Sequence, residues 1–474
     1  MAESGQLLSD LKNDLAKIVG DRYVSASIYE RIKSALDPMP YHVEENNLPL
    51  VVVLPQNKEQ VSSILRYANE KRVAVFVRCS GTQLNGASRP HVPGIVLNTK
   101  RMAGFQIFEE GGYFECEPGA RCKDVAEELK ERGYFLPVYP GSQVIASMGG
   151  LISNNTSGHL TDTYTGKPGD YVQGLEVVLP TGEIIETGTL GLRKPAGTDL
   201  TKYFVGGDGL LGVIVKIRMR LVPLLIRAYG VAVFEDLEGL ARGVQRMYAE
   251  KRPLPLFMEF MSRTIAEIGF QVKSMEPPPG PVLLWVTEGL TEREAGYKVN
   301  EQIKSFRKER IIDAYRVDDM EEWHRLWGTR EVIGSYIMQV QKGKLITAEL
   351  SGNLARLVEI MRDAEKFNAG LHVLEQLPPL LYGHIGALTV HVSFLLPADW
   401  PDDQLKAATD ELFRREAEIN LKYGTCGGEW GQFSKRKEFF VQRYGETSYN
   451  LVKRIKAVFD PHNILNPGIL EGYR

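Results

Sequence analysis

Residues 140–182 read PGSQVIASMGGLISNNTSGHLTDTYTGKPGDYVQGLEVVLPTG, a small-residue loop followed by a strand-like segment. The stretch begins at Pro140, continues through an amide-rich run at 153–158 and ends in a Thr-Gly turn. Glycine lets the backbone approach a ligand closely, and turns that expose several N–H groups bind phosphate oxygens. The stretch by itself fits a phosphate-binding loop and an ordinary surface loop equally well, so the rest of the chain must decide.

The composition is that of an ordinary globular protein, and 474 residues are enough for two or three domains. A net charge of −3 gives no reason to expect nucleic acid or an anionic membrane as partner. The first residues lack the apolar core of a signal peptide, and no run reaches the roughly 18 apolar residues of a membrane span. The four cysteines show no CxxC spacing, which argues against disulfides and an iron–sulfur cluster. We therefore expect a cytoplasmic protein.

The region before the opening stretch follows a β-α-β pattern. Residues 49–53 predict a buried strand, the apolar residues of 61–68 recur at helical spacing, and residues 73–77 predict a second strand. That strand continues into Arg78-Cys79-Ser80-Gly81-Thr82-Gln83-Leu84-Asn85-Gly86. Such a loop could hold a pyrophosphate, although many loops are rich in small residues for turn reasons alone.

A second glycine-rich segment imitates the dinucleotide fingerprint. Gly207, Gly209 and Gly212 form GxGxxG, which requires a preceding strand and a following helix. Apolar and basic residues alternate at period two over 213–221, so a half-buried strand follows instead. We therefore reject a Rossmann fold.

Four ordered segments together resemble the flavin domain of the vanillyl-alcohol oxidase/PCMH superfamily. They are VRCSGTQLNG, residues 140–166, GLEVVLPTGEII and DLTKYFVGGDGLLGVI, and the resemblance covers residues 45–225. It implies an α+β chain with a two-subdomain PCMH-type FAD-binding domain, followed by an α+β cap domain with an antiparallel sheet.

The same resemblance assigns residues to the flavin. Those implied to hold the pyrophosphate or line the cofactor are Ser80, Gly81, Thr82, Gly86, Pro140, Gly149, Gly150, Asn154, Asn155, Gly158 and Ile214. Relatives that bind FAD covalently often carry histidine in the first loop, where this chain has Thr82, so non-covalent FAD is favoured. His159 is the alternative attachment residue.

Two histidines in a later Gly-rich run could bind a metal. His384 and His391 are separated by six residues and converge if a tight turn at Gly386 leads into a strand. With a carboxylate they would form a His₂Glu set, which suits Zn²⁺ with one open position. The alternative is a pair of ordinary histidines at a strand edge.

The C-terminal half resembles the FAD-linked D-2-hydroxy-acid dehydrogenases. By position, that resemblance implies a divalent metal held by His384, His391 and Glu429, and a substrate carboxylate bound by Arg330. The pattern also departs from the family, because Trp430 replaces a histidine that usually acts as base. An indole cannot accept a proton, so another group must be the base or the usual reaction is not performed.

The remaining patterns complete the proposed organisation. Helices are expected near 236–252 and 353–369, and strands at 281–289 and 372–376 (HVLEQ). The ending DPHNILNPG resembles the superfamily terminus, which implies that Asn466 lies beside the flavin ring. We expect an N-terminal helical segment (1–44), the FAD-binding domain (45–225), a cap domain (226–424) and a segment returning to the flavin (425–474).

The leading hypothesis is an FAD-dependent dehydrogenase that oxidises a D-2-hydroxy acid such as lactate or glycolate. Without a cluster or haem motif of its own, the chain would pass electrons to a separate acceptor: an electron-transferring flavoprotein, an iron–sulfur subunit or a quinone. Two alternatives keep the flavin: a non-redox enzyme resembling alkylglycerone-phosphate synthase, and a non-catalytic electron-transfer subunit. Association into a homo- or hetero-oligomer is left open.

Overall fold

The computed structural model describes residues 2–38, 47–83, 86–160, 166–191, 197–340, 344–427 and 437–471. The chain divides into two compact units. The first comprises Met1–Thr156, Lys167–Leu224 and Glu429–Arg474, and the second comprises Ser157–Gly166 and Leu225–Gly428. Both contain helices and sheets, which confirms the α+β class. Within the described ranges, no helix is long and apolar enough to cross a bilayer.

The first unit contains two sheets. Its elements are, in chain order, α1 (Ala2–Val19), β1 (Val24–Ser25), α2 (Ile28–Ala35), β2 (Val51–Val53), α3 (Lys58–Lys71), β3 (Ala74–Arg78), β4 (Gly94–Asn98), β5 (Phe105–Phe108), β6 (Tyr113–Cys116), α4 (Cys122–Glu131), α5 (Met148–Asn154), β7 (Val172–Val178), β8 (Ile184–Gly188), α6 (Thr201–Phe204) and β9 (Val213–Arg220). The first sheet has the order β1-β2-β4-β3, in which β4 pairs in parallel with both neighbours. The second is antiparallel, with the order β5-β6-β9-β7-β8.

Strand β9 confirms the prediction drawn from the alternating residues after GxGxxG. Its inward residues are buried and alternate with Lys216, Arg218 and Arg220. Gly212 serves packing at the strand entrance, because a Cβ there would lie 2.5 Å from Val177 Cγ1. The glycines therefore lead into a sheet rather than into a phosphate-binding helix.

The second unit is built on one large antiparallel sheet. Its elements are β10 (Ile226–Phe234), α7 (Leu237–Ala249), β11 (Phe257–Met261), α8 (Arg263–Val272), β12 (Val282–Gly289), α9 (Glu292–Phe306), β13 (Ile311–Val317), α10 (Met320–Val340), β14 (Lys344–Ser351), α11 (Leu357–Glu365), β15 (Leu380–His384), β16 (Thr389–Leu396) and α12 (Asp402–Lys422). The seven strands have the order β13-β10-β12-β11-β15-β16-β14. Strands β11 and β15 are thus interior neighbours, with both faces available for side-chain packing.

The chain then returns to the first unit through α13 (Lys437–Phe459), which is interrupted at Gly445. Ile464 and Leu465 enter the core that contains residues of α1, α3 and β2. Leu465 also forms a parallel bridge with Val75 of β3. The terminal segment is therefore part of the first unit's core.

The strand expected at 372–376 is wrong. The Glu411 carboxylate accepts hydrogen bonds from the backbone N–H groups of His372, Val373 and Leu374, at 3.0, 2.8 and 3.2 Å. Three consecutive N–H groups that converge on one carboxylate must curl around it, whereas a strand alternates their directions. The segment is a chain of bends and turns instead.

Candidate active site

In the first unit, three of the loops singled out in the sequence meet at Asp208. Its Oδ1 accepts hydrogen bonds from Gln83 Nε2 at 3.1 Å and Asn154 Nδ2 at 3.2 Å. Gln83 belongs to the loop after β3, Asn154 ends α5, and Asp208 lies in the segment before β9. Desolvation raises the pKa of Asp208 to about 6, against the lowering effect of the two amides.

Asn466 fastens the terminal segment to the same cluster. Its Oδ1 accepts from the backbone N–H of Val77 at 3.0 Å, and its Nδ2 donates to the carbonyl of Asp208 at 2.8 Å. The backbone N–H of Asn466 donates to the carbonyl of Val75 at 2.8 Å. Asn466 thus links the end of β3 to the loop that precedes β9.

Close packing requires glycine at two positions in and near these loops. A Cβ at Gly149 would lie 2.4 Å from Pro118 Cβ, and one at Gly81 would lie 2.1 Å from the Arg78 guanidinium. Gly81 also has a φ of +67°, which disfavours other residues. Glycine-rich loops that carry amide side chains, with a guanidinium beside them, suit the phosphates of a dinucleotide. This donor set fits FAD.

The other residues assigned to the flavin are spread over the same unit, with one exception. Ser80 and Thr82 flank Gly81, Gly86 has a φ of +79°, Pro140 is buried, Gly150 and Asn155 are in and after α5, and Ile214 is buried in β9. Asn155 Oδ1 accepts from the N–H of Gly169 at 3.0 Å. Gly158 belongs to the second unit.

In the second unit, strand register brings polar residues onto one face of the sheet. Glu259 of β11 lies directly opposite His384 of β15, and Tyr382 of β15 lies opposite His391 of β16. Directly opposed residues and residues two apart point to the same face. All four side chains therefore share one face.

The turn between β15 and β16 brings the two predicted histidines together. A 3₁₀ turn at Ile385–Ala387 contains Gly386 and is followed by Leu388 with a φ of +58°. The ring centroids of His384 and His391 lie 5.1 Å apart and the rings are nearly perpendicular. Gly383 permits this hairpin, because a Cβ there would lie 2.7 Å from the carbonyl oxygen of Thr389.

Glu259 is the centre of the cluster. Its Oε1 faces Nδ1 of His384 and lies 2.8 Å from Nδ1 of His159. Its Oε2 accepts a hydrogen bond from Nε of Arg330 at 3.0 Å and lies 2.9 Å from Nη2 of the same guanidinium. Glu259 has no solvent exposure, and the other three residues are also buried.

Helix α10 supplies the side of the cluster opposite the sheet. Trp323, Trp327 and Arg330 recur at helical spacing and so lie along one face of α10. The Trp327 ring lies 5.0 Å from that of His159, and the Arg330 guanidinium lies 4.8 Å above the Tyr382 ring. The guanidinium is thus held between a carboxylate and an aromatic face.

Burial and neighbouring charges shift the pKa values of the histidines and of Glu259. Burial lowers the pKa of His159 and lowers the pKa of His391 well below its usual range. Burial would raise the pKa of Glu259, but the charges of His384, His159 and Arg330 together hold it well below its usual range. The cluster therefore combines a carboxylate whose pKa is held low with a buried His391, whose imidazole favours the neutral form that can bind a metal.

Among the residues that the structure describes, His159, Glu259 and His384 form a group with metal-ligand atoms within 4.8 Å of one another. Such a donor set suits a divalent transition metal. Glu429, assigned as a ligand from the sequence, and Trp430 lie outside the described residues.

Two family models match this chain. One is described as an FAD binding domain and matches residues 49–188. The other is the C-terminal domain of FAD linked oxidases and matches residues 226–470, more than half of the chain. The chain belongs to the FAD-linked oxidases.

Two relatives cover nearly the whole of this FAD-linked oxidase. D-lactate dehydrogenase of Archaeoglobus fulgidus is 30% identical over 88% of this chain and 90% of its own length. Glycolate oxidase subunit GlcD of Bacillus subtilis is 28% identical over 98% of this chain and 97% of its own length. These similarities confirm the predicted resemblance and establish an FAD-linked oxidoreductase.

Solved structures confirm the fold. The chain superimposes on p-cresol methylhydroxylase with a TM-score of 0.76 at 18% identity, covering 98% of this chain and 96% of that one. An alkyldihydroxyacetonephosphate synthase gives a TM-score of 0.72 at 16% identity, over 97% of this chain and 84% of the other. At such identities the likeness concerns architecture alone.

Sequence reasoning missed Glu259 in this FAD-linked oxidase and gave His159 a different role. One signal was present: Glu259 is the only charged residue in the apolar strand Phe257–Met261, FMEFM. A carboxylate buried among apolar neighbours is costly unless it is paired, so such a position indicates a partner elsewhere in the chain. The sequence did not reveal which partner.

Proposed function

We propose that this chain oxidises a D-2-hydroxy acid, with lactate- and glycolate-like acids as the first candidates. Its electrons would leave through a separate acceptor: an electron-transferring flavoprotein, an iron–sulfur subunit or a quinone. The names of the relatives support this substrate class, since one is a D-lactate dehydrogenase and another a glycolate oxidase subunit.

The observation that carries the proposal is the placement of Arg330 beside the two histidines of the sheet face. A 2-hydroxy acid offers a carboxylate and an adjacent hydroxyl, which a guanidinium and a metal can bind together. Glu259 occupies the Nε and Nη2 side of Arg330, so a substrate carboxylate would bind at the Nη1 edge. Trp327 packs against His159 and Tyr382 packs against Arg330, so aromatic rings flank the cluster.

Two cofactors belong to the proposal. The loops of the first unit would hold FAD non-covalently, and FAD would supply the acceptor for a hydride, which carries both electrons, from the hydroxyl-bearing carbon. A divalent metal, with Zn²⁺ first, would be held by His384, His391 and Glu429 and would supply Lewis acidity toward the substrate oxygens. The boundaries proposed for this arrangement are 45–225 for the FAD-binding domain and 226–424 for the cap.

Anaerobic titration with a panel of hydroxy acids tests the proposal. D-lactate, glycolate and D-2-hydroxyglutarate should each be added to the FAD-loaded protein while the visible flavin absorbance is followed. At least one D-acid should bleach the flavin, and L-lactate at the same concentration should bleach it far more slowly. An Arg330→Met variant should bind FAD normally and lose most of the bleaching rate.

A lack of bleaching across the panel, in protein that carries FAD and metal, would contradict the proposal. It would then favour a non-redox role for the flavin or an electron-transfer subunit without its own substrate. Reduction by dithionite in the same sample shows that the flavin itself is competent.

A further inference from the structure

Glu259 is a buried carboxylate that neither the motifs nor the proposed chemistry uses. It lies in the middle of β11, an interior strand of the seven-stranded sheet, and every other residue of that strand is apolar. Its register places it directly opposite His384. The exposed fraction of Glu259 is 0%, so bulk water does not compete for its hydrogen bonds.

The contacts of Glu259 divide between its two oxygens. Oε1 faces the Nδ1 atoms of His384 and His159, and Oε2 accepts a hydrogen bond from Nε of Arg330 and forms an ion pair with its Nη2. Nδ1 of His384 faces Oε1, and an imidazole whose Nδ1 faces a carboxylate oxygen in this way donates to it from Nδ1. An imidazole that donates from Nδ1 presents its lone pair at Nε2.

We propose that Glu259 is a positioning residue of the metal centre, which fixes His384 as an Nε2 ligand. The inference rests on the proposed metal-dependent function. Carboxylates that accept from the second nitrogen of a metal-bound histidine fix its tautomer and ring orientation and strengthen it as a ligand. The other oxygen of Glu259 contacts the Arg330 guanidinium. Glu259 thereby sets the distance between the His384 imidazole, which would bind the metal, and the Arg330 guanidinium, which would bind the substrate carboxylate.

Direct metal binding by Glu259 is disfavoured by the same contacts. A cation at Oε1 would displace the donors His159 and His384 from that oxygen. It would also approach Arg330, whose charge is fixed on the other oxygen, and two like charges in a dry site repel each other strongly. Of the two histidines beside Oε1, His384 also lies next to His391, with ring centroids 5.1 Å apart, so we take His384 rather than His159 as the imidazole that shares the metal with His391.

Metal affinity, measured on the FAD-loaded protein without hydroxy acid, tests the inference. Zn²⁺ and Mn²⁺ are titrated against a chromophoric chelator for the wild type, Glu259→Gln, His159→Asn and Glu416→Gln. Glu259→Gln should weaken binding roughly 10–100-fold, because a carboxamide has one acceptor oxygen for donors on both sides. His159→Asn should leave the affinity nearly unchanged. Glu416→Gln alters a comparably buried carboxylate that accepts from the N–H of Glu349 and should also have no effect.

Nitrogen NMR of ¹⁵N-histidine-labelled wild type gives an independent readout if Glu259→Gln does not fold. With Cd²⁺ bound, the His384 signals, assigned through His384→Gln, should show a protonated Nδ1 and a coordinated Nε2. Coordination through Nδ1 would overturn the inference, as would the absence of metal binding by the wild type. An unchanged affinity in folded Glu259→Gln, or lost binding in His159→Asn, would do the same.

These results separate the inference from the proposed function. A protein that binds metal with the expected dependence on Glu259, yet is not reduced by any hydroxy acid, refutes only the function. A protein that hydroxy acids reduce, but whose metal affinity does not depend on Glu259, refutes only the role of Glu259.

Discussion

Asp208 in the first unit and Glu259 in the second are both desolvated carboxylates, but their partners differ. Asp208 accepts from two neutral amides, and desolvation raises its pKa to about 6. Burial would also raise the pKa of Glu259, but two imidazoles and a guanidinium hold it well below its usual range. Burial acts in the same direction on both groups, and the charge of the partners decides the result.

The surroundings of Asp208 and Glu259 suit different kinds of ligand. The loops around Asp208 offer side-chain amides and glycine-rich backbone, which suit a cofactor that brings its own phosphate charges. The sheet face around Glu259 contains fixed charges of both signs, which suit a small anionic substrate and a metal. The two clusters therefore should respond differently when a charge is removed.

Removal of the Glu259 charge should have the largest effect. Glu259→Leu leaves Arg330 buried without its carboxylate, so the free energy of unfolding should fall by about 3–5 kcal/mol. Urea unfolding at neutral pH measures this. The double variant Glu259→Leu/Arg330→Met should recover part of the loss, because it leaves no unpaired charge. A loss below about 1 kcal/mol in the single variant would mean that the cluster is not held by charge.

The negative charge of Asp208, unlike that of Glu259, should destabilise the folded state. Since its folded pKa is about 6 against a usual 3.8, the native state holds a proton that the unfolded state has released. The free energy of unfolding should therefore fall as the pH rises from about 4 to about 6, by about 3 kcal/mol in all, and level off above that. Asp208→Asn keeps the Oδ1 acceptor and should remove this pH dependence. An unchanged pH profile in the variant would assign the effect to other groups.

Replacing Arg330 by another cation should have a smaller effect, and this effect should be on catalysis. Arg330→Lys keeps the positive charge but loses the planar fork that contacts Glu259 and that, in the proposed function, also binds the substrate carboxylate. The value of kcat/KM for the best hydroxy acid should fall by about 10–100-fold, mostly through KM, for the loss of a charge-assisted hydrogen bond. Stopped-flow reduction of the flavin measures it. Equal activity in the lysine variant would show that charge alone is needed.

Removal of a neutral group should have the smallest effect. Ser393 on β16 bonds Thr347 at 2.8 Å and Tyr382 at 3.1 Å, close to the cluster but without charge. Ser393→Ala should lower the free energy of unfolding by only about 1 kcal/mol. Thermal unfolding of the matched pair is sufficient to measure it. A loss as large as that in Glu259→Leu would break the contrast between charged and neutral partners.

Local patterns predicted those features that depend on neighbours in the sequence. The alternation after Gly212 identified β9 correctly, and the Gly-rich run predicted a turn between His384 and His391. Glu259 was missed because its contact with His384 spans 125 residues and depends on the pairing of β11 with β15. A single sequence has no local signal for such register.

The strand expected at 372–376 failed for a related reason. Its residues have acceptable strand propensity, but the Glu411 carboxylate on α12 binds three consecutive N–H groups and curls the chain. A tertiary contact thus overrode local preference. The assignments of Glu429 to a metal and of Asn466 to the flavin ring stay predictions.

The insertion of the second unit into the first has a consequence for synthesis on the ribosome. Residues 225–428 are continuous, so this unit can fold as soon as it emerges. The first unit must wait for Leu465 and Asn466, which pair with Val75 and Val77 of a strand made almost four hundred residues earlier. The contacts that Leu465 and Asn466 make with β3 are therefore formed last, when translation is nearly finished.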